Sequence, residues 1–252
     1  MDEIDLLIIR KLLENSRITY RELAEIINLS VSAVHKRIKA LEDDGVITAY
    51  IARPSVIALK CLFVVVYGTS KAKVMGLVRK ILGQHENINE VAILGSKYFF
   101  ISAYLRDISE LQEFSSYVSK TAQISEPLIG ILNVPYITIP ETLINTDFKI
   151  LKYLNRDARK PITDVADDTG LSSKTVRKRI DNMIKNKLVS FTIEWKPLST
   201  QSFFSIFFIY LNEGTNMNNT FRQLSKKYSK NIAYMINYSN IPNFINMITW
   251  AK

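Results

Sequence analysis

The stretch LSVSAVHKRIKALEDDGVI, residues 29–47, has a near-copy in LSSKTVRKRIDNMIKNKLV, residues 171–189. Both open on Leu-Ser, place Val four residues after the Ser, and continue Lys-Arg-Ile, at an offset of 142 positions. The offset holds without a gap from residue 5 to residue 47. Asp5, Ile8, Leu12, Arg17, Ser30, Val34 and Arg37 meet Asp147, Ile150, Leu154, Arg159, Ser172, Val176 and Arg179. This is a duplication, and it divides the chain into two like halves.

Each copy reads as three helices followed by a hairpin. Ile4, Leu7, Ile8 and Leu12 form a stripe at helical spacing over residues 3–14. Thr19-Tyr-Arg-Glu22 is a capping box for a second helix whose inner face is Leu23, Ala24 and Ile27. Asn28 and Gly170 end that helix where a left-handed backbone is needed. Ser30 and Ser172 are N-caps of the third helix. Its buried stripe is Val34, Ile38 and Leu41, matched by Val176, Ile180 and Met183. Gly45 closes the helix in the first copy; the β-branched and aromatic residues that follow predict a two-stranded wing in each copy.

After each wing the pattern changes. CLFVVVYG (61–68) is a strand, and KAKVMGLVRKILG (71–83) a helix with Val74, Leu77, Val78 and Ile81 on one face. INEVAILG and YFFISAYL are strands meeting near Gly95-Ser96; a second helix starts at Asp107, and LIGILNVPYIT is a last strand. The order βαββαβ is the ferredoxin-like split pattern. The second copy begins alike with SFFSIFFIYL, MNNTFRQLSKKYS, NIAYMINY and NFINMITW, but its second helix and fourth strand have no counterpart. The fold class is therefore α+β: two winged helix-turn-helix domains (1–54 and 141–197), each followed by a ferredoxin-like domain (55–140, and a partial one over 198–252).

Composition narrows the function. The N-terminus MDEIDLLIIRKLLEN does not read as a signal peptide, and no run approaches the ~18–20 apolar residues of a membrane span. The expected location is cytoplasmic, in association with the chromosome, with no membrane partner. A single cysteine, Cys61, excludes a disulfide framework and reads as a small core residue; His85 stands alone in a polar loop, so no metal and no cofactor is expected. No serine, histidine and acid fall into a catalytic arrangement, so no enzyme is expected. Residues 1–140 carry 16 Lys and Arg against 15 Asp and Glu, whereas residues 141–252 carry 17 against 9. Basic charge gathered in one half points to a polyanion.

A capped third helix, buried along one stripe and polar elsewhere, is built to enter the major groove of double-stranded DNA. Outside the stripe the first copy offers Ser32, His35, Lys36, Arg37 and Lys39, and the second Lys174, Thr175, Arg177, Lys178 and Arg179. Lys and Arg hold phosphates or guanine edges; Thr can contact a thymine methyl. The aromatic run Phe203, Phe204, Phe207, Phe208 and Tyr210 reads as sheet packing, since almost no basic residue interleaves it. Trp195 and Trp250 are expected at the hinge and the sheet edge.

D-x-x-I-x-x-x-L near the start, Asn-Ser-Arg17, E-L-A, and L-S-x-x-x-V-x-x-R-I-x-x-L-E-x-x-G-V-I together resemble the Lrp/AsnC (feast/famine) transcription regulators. The resemblance covers almost the whole chain and implies a helix-turn-helix followed by a βαββαβ effector and oligomerisation domain. It also implies a possible small-molecule effector of unknown identity near Gly95, Ser96 and Tyr98. Three departures stand out. The family ordinarily has one unit per chain. The turn here, Gly95-Ser96-Lys97-Tyr98, lacks the acids associated with amino-acid effectors, and the second copy's NYSNIPNF lacks the glycine. The expectation is a sequence-specific regulator acting as a tandem pseudo-dimer through its two sheets, with homo-oligomers also open. Alternatives are a non-specific architectural DNA binder and an enzyme resembling the siroheme decarboxylases. The latter would need a histidine and arginines at a tetrapyrrole site.

Overall fold

The computed structural model describes residues 1–133, 142–196 and 203–251. The side chains of Phe203 and Phe204, the predicted strand beyond Asn133, and the expected domain borders at 140/141 and 197/198 lie outside the described residues.

The first three helices are α1 (Glu3–Glu14), α2 (Tyr20–Ile27) and α3 (Val31–Asp43). Their ends follow the local chemistry. The Thr19 hydroxyl accepts from the Glu22 N–H at 3.1 Å while the Glu22 carboxylate accepts from the Thr19 N–H at 2.9 Å. That backbone bond, with the Thr19 hydroxyl, holds the Glu22 acid below the usual carboxylate range. Asn28 turns left-handed at φ 56° and the Ser30 hydroxyl caps α3. Val34, Ile38 and Leu41 are buried as the spacing predicts. The buried face of α1 is Leu6, Ile8, Ile9 and Leu12, with Ile4 and Leu7 only half-buried. The face is turned because α1 is covered by a strand of the other half as well as by its own helices.

That strand corrects the expectation of a hairpin wing in each copy. β1 (Ile47–Pro54) is followed by the short helix α4 (Val56–Leu59), and has no partner strand in its own half among the described residues. It pairs antiparallel with β6 (Val189–Trp195), the equivalent strand of the second copy. Neither segment contains a turn signal that could fold it back on itself. Tyr50 pairs with Ile193 and Ile51 with Thr192. At the repeat offset of 142, Ile193 is the counterpart of Ile51 and Thr192 that of Tyr50. The ribbon is therefore its own image about a pseudo-two-fold axis at its centre. Each strand also serves the opposite core. Ile193 and Trp195 pack against α1–α3, while Ala52 and Tyr50 pack against the helices of the second copy.

The first sheet holds β2 (Leu62–Thr69), β3 (Ile88–Leu94), β4 (Tyr98–Leu105) and β5 (Leu128–Ile131), in the order β3-β4-β2-β5. Between them run α5 (Met75–Leu82) and, after a 3-10 turn at Ile108–Glu110, α6 (Leu111–Ala122). Both helices share one core with the sheet, formed by Val64, Val66, Phe99, Ile101, Phe114 and Val118 among others. α5 departs from the predicted face. Val78 and Leu82 are buried, whereas Val74, Leu77 and Ile81 point outward. The helix begins only at Met75, and Met75, Val78 and Leu82 make the i, i+3, i+7 stripe that meets the sheet. Cys61 is half-buried at the entrance to β2 rather than within a core.

The second copy repeats the helices as α7 (Asn145–Leu154), α8 (Ile162–Thr169) and α9 (Ser173–Lys185). Gly170 turns at φ 69° like Asn28, and Lys187 takes a positive φ of 53° where the first copy has Gly45. Its sheet, ordered β7-β9-β8, comprises β7 (Phe203–Tyr210), β8 (Ile232–Tyr238) and β9 (Ile241–Ala251), with α10 (Met217–Lys227) between β7 and β8.

The two sheets pack through Val65, Tyr67, Tyr238 and Phe244, with Phe208 and Tyr98 at their border. Phe208 of the aromatic run thus packs between sheets, while Phe207 and Tyr210 are exposed. The Tyr67 and Tyr238 hydroxyls lie 2.8 Å apart and the Asn246 amide donates to both. Burial pushes both tyrosine acids up, so these hydroxyls stay neutral hydrogen-bonding groups at physiological pH. The turn between β8 and β9 also clasps β5. Asn240 accepts from the Ile131 N–H at 2.7 Å and donates to the Ile129 carbonyl at 2.8 Å. The Tyr238 ring fills the notch over Gly130, where an added Cβ would stand 2.5 Å from the ring. Gly130→Ala is therefore expected to destabilise the joined sheets by about 1–3 kcal/mol through overpacking, read as a lower urea midpoint.

Candidate nucleic-acid interface

The third helices, α3 and α9, are held by the same device in both copies. Arg37 Nη1 donates to Asp2 Oδ2 at 2.8 Å and Asp5 Oδ1 at 2.7 Å. These hydrogen bonds, to Asp5 first, raise the Arg37 pKa above its ordinary value. Arg179 makes a bidentate pair with Asp147, Nε to Oδ1 at 2.7 Å and Nη2 to Oδ2 at 2.6 Å. Asp147 is fully buried, whereas Asp2 keeps 45% of its side-chain surface. The repeated Asp and Arg of the duplication thus tie the first helix of each unit to the third. Arg37 and Arg179, expected among the DNA contacts, have their guanidinium groups turned toward α1 and α7. The sequence contains both partners of each pair but does not reveal that helix packing brings them together.

The other expected contacts lie on the outer faces. Ser32, His35, Lys36 and Lys39 on α3 are exposed, as are Lys174, Arg177 and Lys178 on α9. Thr175 is half-buried and its hydroxyl lies 2.9 Å from that of the cap Ser172. His35 meets Tyr20 edge-on, ring centres 5.2 Å apart. Lys39 is paired with Asp43 at 3.4 Å and its helix ends in Glu42, Asp43 and Asp44. In α9 the corresponding positions are Ile184, Lys185 and Asn186, so its exposed face is more positive.

The expected effector residues separate. Gly95 (φ 58°) and Ser96 form an exposed turn, while Tyr98 packs between the sheets, its ring 6.2 Å from that of Phe208. His85 packs on Phe114 and Tyr117. Among the described residues no group of three His, Cys, Asp or Glu could hold a metal ion, and no helix is long and apolar enough to cross a membrane.

Two capped, clamped tri-helical units bearing basic third helices on one symmetric ribbon define a DNA-binding class of protein. Similarity to known proteins agrees. The family model for winged helix-turn-helix DNA-binding matches residues 1–48 and again residues 145–190. An uncharacterized HTH-type transcriptional regulator of Pyrococcus furiosus is 32% identical over 116 residues, 45% of this chain and 78% of the relative. A second such regulator, from Pyrococcus abyssi, is 30% identical over 120 residues, 45% of this chain and 73% of the relative. The chain belongs to the helix-turn-helix transcriptional regulators, with two helix-turn-helix units in tandem. Among solved structures, the siroheme decarboxylase NirDL in co-complex with an iron-uroporphyrin III analogue is similar, with a TM-score of 0.57 and 12% identity. The match covers 99% of this chain and 80% of that one, and at that identity the likeness is one of fold.

Proposed function

We propose that the chain reads DNA as a built-in pseudo-dimer, with both recognition helices on one duplex. Residues 1–54 and 141–197 are the reading units, and 55–140 and 198–252 hold them together. The supporting observation is the self-symmetric pairing of β1 with β6, which relates the two tri-helical units as a two-fold axis relates the halves of a dimeric repressor. Such readers meet successive major-groove faces about one turn apart, ~34 Å, or a multiple of that. The readers are unequal: α3 presents Ser32, His35 and Lys36 where α9 presents Lys174, Arg177 and Lys178. The preferred site accordingly has two different half-sites. Selection from a random DNA pool is the test. Two dissimilar motifs at fixed spacing are expected. A strict palindrome argues against unequal readers, and the absence of any enriched motif argues for the architectural alternative.

The fold-level match to NirDL favours one second reading, a tetrapyrrole enzyme. The chain's two histidines speak against it: His35 is exposed on α3 and His85 lies against α6, while the sheets meet through Tyr67, Tyr238 and Phe244. A regulator without enzymatic activity is the reading these placements support. Titration with an iron tetrapyrrole, followed by absorbance, tests it; a shifted, saturable Soret band would revive the enzyme reading. No effector is assigned to the Gly95-Ser96 turn, and association with the chromosome is part of the proposal.

A further inference from the structure

The two reading units are joined by more than the ribbon. Arg17 Nη1 donates to the Ala158 carbonyl and Arg159 Nε donates to the Ser16 carbonyl, the latter at 2.8 Å. At the repeat offset of 142, Arg159 is the counterpart of Arg17 and Ala158 that of Ser16. The two bonds are therefore one contact made twice, each arginine crossing the pseudo-two-fold to the other unit's backbone. The backbones answer: the Ser16 N–H donates to the Phe191 carbonyl and the Ala158 N–H to the Tyr50 carbonyl, each at 2.8 Å. Each guanidinium also lies over an aromatic ring of the other unit's ribbon strand, Arg17 5.7 Å from the Phe191 ring centre and Arg159 4.0 Å from that of Tyr50. Arg159 Nη1 further donates to the Tyr20 hydroxyl at 3.2 Å, and Tyr20 is the residue against which His35 of α3 packs. None of these groups lies on the exposed face of a recognition helix.

We infer that Arg17 and Arg159 are positioning residues that set the distance and rotation between the two DNA-reading helices, and so determine which half-site spacing the protein accepts. The ribbon is backed by the helical core of each unit, but a two-stranded pair still twists and bends more readily than a wider sheet. The crossed arginines add two fixed points on either side of its axis. Each is a charged donor on a buried carbonyl, stronger than a neutral hydrogen bond. A guanidinium held by a carbonyl and an aromatic face has a geometry that lysine does not reproduce. This inference rests on the pseudo-dimer reading.

The experiment measures affinity of the full chain for duplexes carrying the selected half-sites at the native spacing and with 1, 2 or 5 base pairs inserted. Five base pairs rotate one half-site by about half a turn of the ~10.5 base-pair helix. The wild type is expected to lose at least about tenfold in affinity at the five-pair insertion. Arg17→Gln/Arg159→Gln is expected to lose less than about threefold there, while binding a single half-site duplex as the wild type does. A double variant that keeps the wild-type spacing penalty overturns the inference. Arg159→Lys serves should the double variant fail to fold: an intermediate penalty is expected, and an unchanged one overturns the inference. A wild type indifferent to spacing overturns the two-reader account itself, which separates the two failures.

Discussion

Replacing Lys174, Arg177 and Lys178 with alanine is expected to flatten the salt dependence of DNA binding far more than replacing Lys36 and Lys39. All five side chains are exposed on third helices, but their electrostatic settings differ. Lys39 is already paired with Asp43, on a helix that closes with three acids in succession. On α9 the nearest acid in sequence is Asp181, and the helix closes on Lys185 instead. Each phosphate that is no longer neutralised takes about 0.9 off the slope of log K against log salt. The α9 triple variant should therefore lower that slope by roughly 2–3, and the α3 pair by about 1. Fluorescence anisotropy between low and physiological salt reads both. Equal changes in the two variants would show that the second helix does not carry the larger phosphate share.

The second large effect concerns stability. Asp147→Ala is expected to cost about 3–5 kcal/mol, because it leaves the Arg179 guanidinium facing a buried site from which its bidentate partner has gone. Asp5→Ala should cost much less, about 1 kcal/mol, since Asp2 still reaches Arg37 at 2.8 Å and that pair is more exposed. The same position of the repeat thus has two different energetic weights. The reason lies one turn earlier: the position held by Asp2 in the first copy is Ile144 in the second, so that position offers no carboxylate to stand in for Asp147. Urea denaturation of the two variants side by side checks this; equal losses would mean that Asp2 gives Arg37 no support.

The periodicities make most of this fold legible. Caps at Thr19, Ser30 and Ser172, the left-handed stops at Asn28 and Gly170, and the stripes of α3 and α9 are local features, set by neighbours a turn away. The βαββαβ order is readable for the same reason. What local patterning does not carry is the partner of an unpaired segment. VITAYIARP has strand composition, but that it pairs with its own duplicate depends on a contact 143 positions apart, between Tyr50 and Ile193. The inward face of α5 differs from the predicted one because two apolar stripes share eight residues and only the sheet decides between them. At the interface, exposure of Lys36, Lys174 and Arg177 follows from the helical wheel. The engagement of Arg37 and Arg179 by aspartates does not, because an arginine on a helix flank can turn either way until the first helix is placed.

Hydroxyl-radical footprinting of one duplex bearing the selected site tests the central claim most directly. With the wild type, two protected patches a helical turn or a multiple of it apart are expected. With Lys174→Ala/Arg177→Ala/Lys178→Ala only one patch should fade, and with Ser32→Ala/His35→Ala/Lys36→Ala only the other. A single patch in the wild type, or two patches that vanish together in either variant, would contradict a pair of separate readers built into one chain.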